Sequence, residues 1–327
     1  MKKIYVTLLI SMLAIFIVAC GSDKPETSKT NANEDVTQED VKQEEVKSES
    51  KEITVKHLLG ETTVKTLPEK VAVFDMGSLD TLDKLGVESV VAVPHQGLPT
   101  YLNKYEGTTE NAGGLKEPDF EKLAEVAPDL IIISGRQAES YEELSKIAPT
   151  IYMGVDTSKY MESFEQNVKT LSEIFGKEDE AVKELGNVEK SIEELKTTVN
   201  PEKTGLILLS NGGKVSAYGP NSRFGIIHDV FGVKAVDDKL EVSTHGQSIN
   251  FEYIVEKNPD YLFVVDRDAV AGDGAAAKTT IENDLVKGTK AFKEGNIVYL
   301  DPAYWYLSGG GLESVQEMVH EISEGLK

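Results

Sequence analysis

The chain has 327 residues, a formal net charge of −22 and one cysteine. This length exceeds what a single hydrophobic core usually fills, so two lobes are expected. The acidic balance argues against a nucleic-acid-binding protein, which needs a basic surface, and one cysteine excludes an internal disulfide or a thiolate metal cluster.

The first twenty residues, MKKIYVTLLISMLAIFIVAC, have the form of a secretory signal. Lys2 and Lys3 provide a basic start, an apolar run continues to Ala19, and the cysteine, Cys20, stands at the expected cleavage point. The ending resembles a bacterial lipobox, in which the cysteine becomes the lipidated first residue of the mature protein. We therefore expect a signal peptide over residues 1–19 and lipidation of Cys20. The alternative is an ordinary signal or an N-terminal membrane helix with a chance cysteine.

The segment after the cysteine, GSDKPETSKTNANEDVTQEDVKQEEVKSESK, contains no aromatic residue and almost no large apolar one. Such a segment cannot bury enough surface to fold. We expect residues 20–51 to form a lipidated, disordered acidic tether that could reach on the order of 100 Å when fully stretched. No later segment has the roughly 18 consecutive apolar residues that a membrane span needs.

Residues 52–160 are predicted to form an N-terminal α/β lobe. The stretch ITVKHLLGETTVKTLP alternates in polarity and predicts a hairpin. Apolar strands (VAVFD, VVAVPH, DLIIIS, TIYMG) then alternate with amphipathic helices (SLDTLDKLG, FEKLAEVA, ESYEELSKIA). This alternation is typical of a parallel sheet covered by helices.

Residues 161–200 are predicted to be connecting helices, and residues 201–327 a C-terminal lobe. The second connecting helix spans about 177–199 and would be roughly 34 Å long, enough to cross between two lobes. The C-terminal lobe begins with a predicted hairpin, TGLILLS and KVSAYG around NGG. Further helices are predicted near FGIIHDVFG and TIENDLVKG, followed by the strand NIVYLD and a final helix, GLESVQEMVHEISEGL.

One helix–strand unit occurs once in each lobe. FEKLAEVAPDLIIISGR (120–136) aligns without a gap with FEYIVEKNPDYLFVVDR (251–267), and both copies end on arginine. A unit repeated in this way predicts two related lobes that face one another across a cleft.

Only three of the 34 basic residues are arginines: Arg136, Arg223 and Arg267. A guanidinium presents five donors in a rigid planar fork, so its selective use indicates recognition of an anion. Arg136 and Arg267 follow matching strands at the sheet edge where open α/β proteins bind ligands. Arg223 lies in GPNSRFG, before a helix whose N-terminus also favours an anion. The alternative for each arginine is a surface or inter-lobe ion pair with one of the 56 acidic residues.

Two polar loops of the C-terminal lobe carry further candidates. His245 lies in STHGQS, and Tyr304, Trp305 and Tyr306 lie in DPAYWYLSGGG. An imidazole and phenols suit ferric iron, and the aromatic faces could stack on a ring or on a guanidinium. Because two ligands do not fill a coordination sphere, a solvated histidine and simply packed aromatics remain the alternative.

At these residues the sequence resembles the periplasmic-binding-protein family that delivers iron–siderophore complexes and vitamin B12 to ABC importers, over roughly residues 52–327. Within that family it is similar to lipoproteins that bind catecholate siderophores, such as petrobactin and enterobactin fragments. The resemblance implies an α/β fold of two Rossmann-like lobes joined by one long helix, with the ligand cleft between them. It also implies that Arg136, Arg223 and Arg267 surround the catecholates, with Trp305 and Tyr304 at the ligand. His245 and Tyr306 would complete the sphere of the siderophore's ferric iron.

The resemblance also implies the partners of the protein. Binding proteins of this type present one acidic residue from each lobe to their permease, and these match Glu121 and Glu252 in the repeated unit. We therefore expect a monomer with no intrinsic cofactor, a ferric siderophore as ligand, and an ABC permease with its ATPase as partners. The lipid anchor would place it on the extracellular face of a Gram-positive cell membrane.

Three alternatives remain. The same fold could bind haem, cobalamin or a hydroxamate siderophore. Hydroxamate complexes carry less charge, however, so three arginines would be more than their recognition requires. A zinc- or manganese-binding importer component would need several histidines and carboxylates that converge on one point. For an enzyme, GDGAAAKT (272–279) has Ala277 in place of the glycine that a phosphate loop requires. The GGG run (309–311) could hold an anion at the start of the last helix, but no G-x-G-x-x-G signature accompanies it.

Overall fold

The computed structural model of the protein describes residues 50–271 and 276–327. The predicted signal peptide, Cys20 and nearly all of the predicted tether lie outside these residues, as do residues 272–275 of the GDGAAAKT stretch. Within the described ranges, none of the helices combines the length and the apolar character needed to cross a bilayer.

The first lobe contains a five-stranded sheet in which every strand pairing is parallel, with the order β5-β4-β3-β6-β7. A separate antiparallel hairpin precedes it, as predicted, and its Thr62 hydroxyl donates to the carbonyl of Thr150 at 2.8 Å. The elements in chain order are β1 (Glu52–His57), β2 (Gly60–Lys65), β3 (Val71–Val73), α1 (Met76–Lys84), β4 (Val90–Val93), β5 (Glu110–Asn111), α2 (Phe120–Val126), β6 (Leu130–Ile133), α3 (Tyr141–Leu144) and β7 (Thr150–Tyr152). Two 3-10 segments, Thr100–Gly107 and Gly135–Ser140, complete this lobe.

Two helices connect this lobe to the next: α4 (Tyr160–Phe175) and α5 (Glu178–Thr198). A short 3-10 segment, Thr157–Lys159, leads into α4. The first half of α4 packs into the core of the second lobe through Phe164 and Val168, whereas Leu171 and Ile174 pack into the core of the first. The connection is therefore part of both cores, which favours a stiff junction over a free hinge.

The second lobe contains a mixed sheet with the order β11-β9-β8-β12-β13, and β10 pairs with β8 beside this path. The predicted NGG turn is a two-residue hairpin loop in which Gly212 and Gly213 have φ values of 57° and 75°, as a type I′ turn requires. The elements are β8 (Thr204–Asn211), β9 (Lys214–Tyr218), α6 (Ile226–Asp229), β10 (Lys234–Ala235), β11 (Gln247–Ile249), α7 (Phe251–Lys257), β12 (Tyr261–Asp266), α8 (Asp268–Ala271), α9 (Ala277–Ile281), α10 (Lys290–Lys293), β13 (Ile297–Leu300) and α11 (Leu312–Gly325). A 3-10 segment (Val286–Gly288) and a π-helical turn (Ala303–Ser308) lie between them.

The repeated unit adopts the same local structure in both lobes. Helices α2 and α7 each have seven residues, and each ends on a residue in the left-handed conformation, Ala127 at φ 50° and Asn258 at φ 43°. The aspartate that follows each proline then accepts backbone N–H groups at the entrance of a neighbouring strand, with Asp129 bound to Lys70 and Asp260 to Thr204. The central strands β6 and β12 follow and bring their trailing arginines to the carboxyl edges of the two sheets.

The predicted fold class of two α/β lobes is therefore confirmed, and the connection consists of α4 followed by the long helix α5. The structure shortens some of the predicted helices. TIENDLVKG forms only the end of α9 and a 3-10 turn, and ESYEELSKIA contains only the four-residue α3.

Candidate functional site

Three arginine side chains from separate parts of the chain surround the ring of Tyr306. The guanidinium carbon of Arg223 lies 4.2 Å from the ring centroid, and those of Arg136 and Arg267 each lie 5.9 Å from it. Arg136 belongs to the first lobe, whereas the other three residues belong to the second. The structure therefore brings the three predicted arginines together at one place between the lobes.

The same arginines hydrogen-bond to the loop that carries Tyr306. Its backbone carbonyl accepts from Arg136 at 2.7 Å and from Arg223 at 2.5 Å, and the carbonyl of Leu307 accepts from Arg136 at 3.2 Å. The Nε of Arg267 donates to the phenol oxygen of Tyr306 at 3.1 Å. These bonds leave most of the five donors on each guanidinium free to contact a ligand.

Arg136 follows β6 in a 3-10 turn that its neighbours hold closed. The Gln137 side chain accepts from the backbone N–H of Ser134 at 3.1 Å and donates to the carbonyl of Leu115. The partly buried carboxyl of Asp75, just after β3, lies within electrostatic range of Arg136. Burial and the charge of Arg223 lower the pKa of Arg136, yet a guanidinium remains protonated at neutral pH.

Arg223 is presented by a tight loop that depends on local hydrogen bonds. Asn221 has a φ of 58°, which an asparagine tolerates, and its N–H donates to the carboxylate of Asp229 at 2.6 Å. The hydroxyl of Ser222 donates to the carbonyl of Gly219 at 2.5 Å. The polar residues that marked GPNSRFG as a loop in the sequence therefore close it and direct Arg223.

Arg267 stands at the end of β12 and is oriented by its neighbours on β8. Its backbone N–H donates to the carbonyl of Ser210 at 3.1 Å, and its NH1 donates to the side-chain oxygen of Asn211 at 2.8 Å. The carboxylate of Asp268 lies 3.9 Å away. This is the one salt bridge that any of the three arginines makes within the described residues.

The site therefore carries excess positive charge in a protein that is strongly acidic overall. Three cations face one contacting carboxylate and the nearby carboxyl of Asp75. Among the residues that the structure describes, the ion-pair alternative therefore does not account for Arg136 or Arg223. Partial burial reduces the screening of this charge by water. The arrangement can bind an anion with several oxygen acceptors.

The electrostatics of Tyr306 differ from those of an ordinary buried tyrosine. Burial alone would raise the pKa of its phenol, but the hydrogen bond from Arg267 and the charges of Arg223, Arg267 and Arg136 lower it below its usual value. A phenol that ionises more readily is a better ligand for a hard ferric ion.

The other two aromatic candidates of this loop lie elsewhere. Trp305 is 2% exposed, belongs to the hydrophobic core of the second lobe, and donates through its indole N–H to Glu321 at 2.6 Å. This placement contradicts the predicted ligand contact of Trp305, because its ring packs in the core. Tyr304 is partly buried and packs against Tyr101 of the first lobe in a tilted arrangement, with ring centroids 4.7 Å apart. Its ligand contact stays a prediction.

His245 lies on an exposed loop, and within the described residues no hydrogen bond or ring contact joins it to Tyr306 or to the arginines. Its loop nevertheless packs close to the site through Tyr218, whose hydroxyl donates to the carbonyl of Thr244 at 3.5 Å. The ring of Tyr218 in turn packs on Phe224, beside Arg223, at a centroid distance of 4.7 Å. The structure thus leaves His245 near the site without bringing it to Tyr306.

The two predicted docking glutamates occupy equivalent positions. Glu121 lies in the first turn of α2 and Glu252 in the first turn of α7, and both are exposed. Helices that connect parallel strands run antiparallel to them, so their first turns lie at the carboxyl edges of the sheets, as the arginines do.

The described residues contain no group of three or more histidine, cysteine, aspartate or glutamate side chains that could hold a metal ion. The site is a cation cluster with one phenol, so the residues described do not form a bare-metal centre of the zinc or manganese type.

Sequence reasoning missed two polar residues of the site, Asn211 and Asp75. Asn211 is the last residue of β8 and Asp75 lies just after β3, at the same sheet edges as Arg267 and Arg136. The strand-end rule that selected the arginines would have found them if it had been applied to every polar residue after a strand.

A family model described as "Periplasmic binding protein" matches residues 71–304. The petrobactin-binding protein YclQ of Bacillus subtilis is 50% identical over 332 residues, which cover 100% of both chains. The ferric-anguibactin-binding protein FatB of Vibrio anguillarum is 32% identical over 281 residues, covering 84% of this chain and 87% of FatB.

Solved structures agree with these matches. The crystal structure of YclQ superposes with a TM-score of 0.83 at 54% identity and covers 85% of this chain and 99% of that chain. The catecholate-siderophore-binding protein VctP of Vibrio cholerae superposes with a TM-score of 0.79 at 38% identity, covering 84% of this chain and 100% of that chain. The resemblance noted from the sequence is confirmed, and the chain belongs to the periplasmic binding protein family.

Proposed function

We propose that this protein captures ferric catecholate siderophores of the petrobactin or enterobactin-fragment type outside the cytoplasm and delivers them to an ABC importer. The observation that carries the proposal is the convergence of Arg136, Arg223 and Arg267 on Tyr306. The relatives named for petrobactin and for catecholate siderophores support the same ligand class.

The chemistry of the ligand fits the cluster. Each catecholate brings two negatively charged oxygens to iron, so its ferric complexes are anions with acceptors arranged around a compact centre. Forked guanidinium groups can donate to two such oxygens at once and can stack on the catechol ring, which lysine cannot do. Because the whole chain is acidic, long-range attraction cannot bring this ligand in, and affinity must come from the local cluster.

Tyr306 is the protein group proposed to reach the iron, and the lowered pKa of its phenol supports that role. A ligand with only two catecholates leaves two positions of an octahedral ferric ion open. We propose that Tyr306 occupies one and His245 the other after its exposed loop moves inward. A ligand with three catecholates fills the sphere and would not need them.

The remaining proposals concern delivery. Glu121 and Glu252 are proposed to dock on basic side chains of the permease, in line with their exposed and equivalent positions. Lipidation of Cys20, after removal of the signal peptide over residues 1–19, would anchor the chain to the outer face of the membrane through the 20–51 tether. The two lobes, 52–160 and 201–327, would act as a monomeric binding protein without catalytic activity.

The test is a fluorescence titration of the purified chain with the ferric complex of a linear bis-catecholamide. We expect a sub-micromolar Kd, and a loss of at least 100-fold when all three arginines are changed to alanine. A matched variant with all three changed to lysine keeps the charge but loses the fork, and we expect it to recover only part of the affinity.

A ferric hydroxamate of lower charge serves as the ligand control. Tight binding of the catecholate by the triple alanine variant would refute the arginine cluster as the binding site. Tighter binding of the hydroxamate, haem or cobalamin would replace the proposed ligand by one of these alternatives.

A further inference from the structure

The loop of the second lobe that carries Tyr306 is held in part by the first lobe. The C-terminal helix α11 starts directly after this loop, and its N-cap residue is Gly311, which has no side chain to cap the helix. The carboxylate of Asp80, on α1 of the first lobe, instead accepts the backbone N–H groups of Glu313 and Ser314, each at 2.7 Å. A helix N-terminus exposes unpaired N–H groups and favours negative charge, so Asp80 acts as a cap supplied from the opposite lobe.

A second bond connects the same carboxylate to the other end of the loop. The hydroxyl of Tyr101 donates to Asp80 at 2.8 Å, and the ring of Tyr101 packs against the ring of Tyr304. The neighbouring Thr81 hydroxyl accepts the N–H of Leu312 at 3.3 Å. Residues 304–314 are therefore fixed at both ends by side chains of α1 and of the segment after β4.

The backbones also approach closely at this junction, and glycines make the approach possible. A Cβ atom added to Gly311 would lie 2.3 Å from Cγ of Asp80, and one added to Gly77 would lie 2.6 Å from the carbonyl oxygen of Ser308. No other residue type fits at these positions without moving the helix or the loop. Little room therefore remains for α1 and the loop to shift relative to each other.

Asp80 is 1% exposed, so its hydrogen bonds do not compete with bulk water. Burial raises its pKa to about 6, against the opposing effect of the backbone N–H groups of Glu313 and Ser314 and the hydroxyl of Tyr101. The carboxylate is therefore ionised at pH 7.5, where it can accept all three bonds.

We propose that Asp80 is a positioning residue for the ligand site, because from the first lobe it holds the loop that presents Tyr306 to the three arginines. Tyr306 lies between the two anchored ends, and its carbonyl is the acceptor shared by Arg136 and Arg223. Loosening the cap would let this carbonyl and the phenol move together. The part of the inference that concerns affinity depends on the proposed function, whereas the part that concerns loop position does not.

The first measurement needs no ligand. Hydrogen–deuterium exchange of the full chain is compared between the wild type, Asp80→Asn and Asp260→Asn. Asp260 is a matched control, because its carboxylate also accepts a backbone N–H, that of Thr204 at 2.8 Å, but at the start of a strand. We expect Asp80→Asn to accelerate exchange at least 10-fold in peptides over residues 303–316 and to leave the first-lobe sheet unchanged. Uniform acceleration across the chain, or none over 303–316, would overturn the inference.

The second measurement is a double-mutant cycle with the ferric complex of a linear bis-catecholamide. Asp80→Asn should weaken binding at least 10-fold in the wild type and by a clearly smaller factor in a Tyr306→Ala background, where only the backbone carbonyl of residue 306 still depends on the position of the loop. Equal losses in the two backgrounds would show a general loss of folded protein and would contradict the inference. If the wild type does not bind this probe, the proposed function fails, and the exchange result alone decides the inference.

A milder variant is available if Asp80→Asn does not fold. Tyr101→Phe removes one donor to Asp80 but keeps the ring that packs against Tyr304. We expect it to weaken binding about 3-fold and to accelerate exchange over the same peptides. Unchanged exchange in Tyr101→Phe would overturn the inference.

Discussion

The Nε of Arg267 donates to the phenol oxygen of Tyr306 at 3.1 Å, so the residue proposed to reach the iron is paired with a residue proposed to bind the catecholate. One change can separate these two roles. Tyr306→Phe keeps the ring beside Arg223, at 4.2 Å, and removes only the oxygen.

We expect Tyr306→Phe to weaken a ferric bis-catecholate at least 10-fold, about 1.4 kcal/mol, and a tris-catecholate less than 3-fold. Only the first ligand leaves iron positions for a phenolate. Parallel titrations of the two complexes measure this ratio, and Tyr304→Phe tests whether the neighbouring phenol of the same loop reaches the iron instead. Equal losses for the two ligands would remove the iron-binding role of Tyr306.

Asn211 is expected to contribute to the ligand affinity of the site without being essential for binding. Its side-chain oxygen accepts from Arg267 at 2.8 Å, so Asn211→Ala frees that guanidinium to adopt other rotamers. We predict a 2- to 5-fold loss of affinity, close to the roughly 0.5–1.5 kcal/mol of one hydrogen bond. Calorimetric titration measures it, and Asn211→Asp, which adds a negative charge, should bind more weakly than Asn211→Ala. The reverse order would contradict an anionic ligand.

Trp305 is expected to matter for stability rather than for binding. Trp305→Phe removes one of the two donors to Glu321, the other being the backbone N–H of Asp301, and burial already raises the pKa of Glu321 despite these bonds. We predict a loss of about 1–3 kcal/mol in the free energy of unfolding, measured by urea denaturation, with the Kd changed less than 3-fold. Because Trp305 is the single tryptophan of the chain, unfolding is followed by circular dichroism. A large loss of affinity with unchanged stability would restore the ligand contact that the structure contradicts.

The helix that carries Glu252 is held by an ion pair whose strength depends on pH. Asp237 accepts from Lys257 at 2.7 Å and from Tyr253 at 2.9 Å, and these contacts, with a backbone N–H, hold its pKa at about 2. A carboxyl whose pKa is lowered in the folded protein contributes stability at pH values above its pKa in the unfolded chain, which is about 4. This contribution is lost as the pH falls from about 4 to 2.

We therefore expect the difference in unfolding free energy between wild type and Asp237→Asn to be about 1 kcal/mol at pH 6 and to disappear near pH 2. Urea unfolding across this range measures it. A difference that grows on acidification would have the wrong sign and would reject the assignment.

Glu121 and Glu252 are predicted to act in transport and not in ligand binding. Changing both to glutamine should leave the Kd within 2-fold and reduce siderophore uptake by cells at least 10-fold, because two charge contacts to the permease are lost. Glu125 and Glu256 lie one turn further along the same two helices and are also exposed, so changing them to glutamine is the matched control. Equal uptake defects in the two double variants would leave no specific docking role for Glu121 and Glu252.

Local patterns in the sequence were sufficient for the architecture. Alternating strand and helix periods predict parallel α/β lobes, and the repeated unit that ends on Arg136 and Arg267 places both arginines at carboxyl edges of strands. These predictions succeed because hydrophobic period, helix ends and strand ends depend on residues only a few positions apart.

Tertiary structure decided which side chains face the cleft and what holds them there. Tyr304, Trp305 and Tyr306 are consecutive, yet one packs against the first lobe, one enters the core and one meets the arginines, because packing against both lobes sets the direction of each side chain in the π-helical turn. Asp80 caps Ser314 across 234 residues of chain, and no pattern within a few residues can encode such a contact. The sequence by itself determined the fold class and the three cations, whereas the site that they form exists only where the two lobes meet.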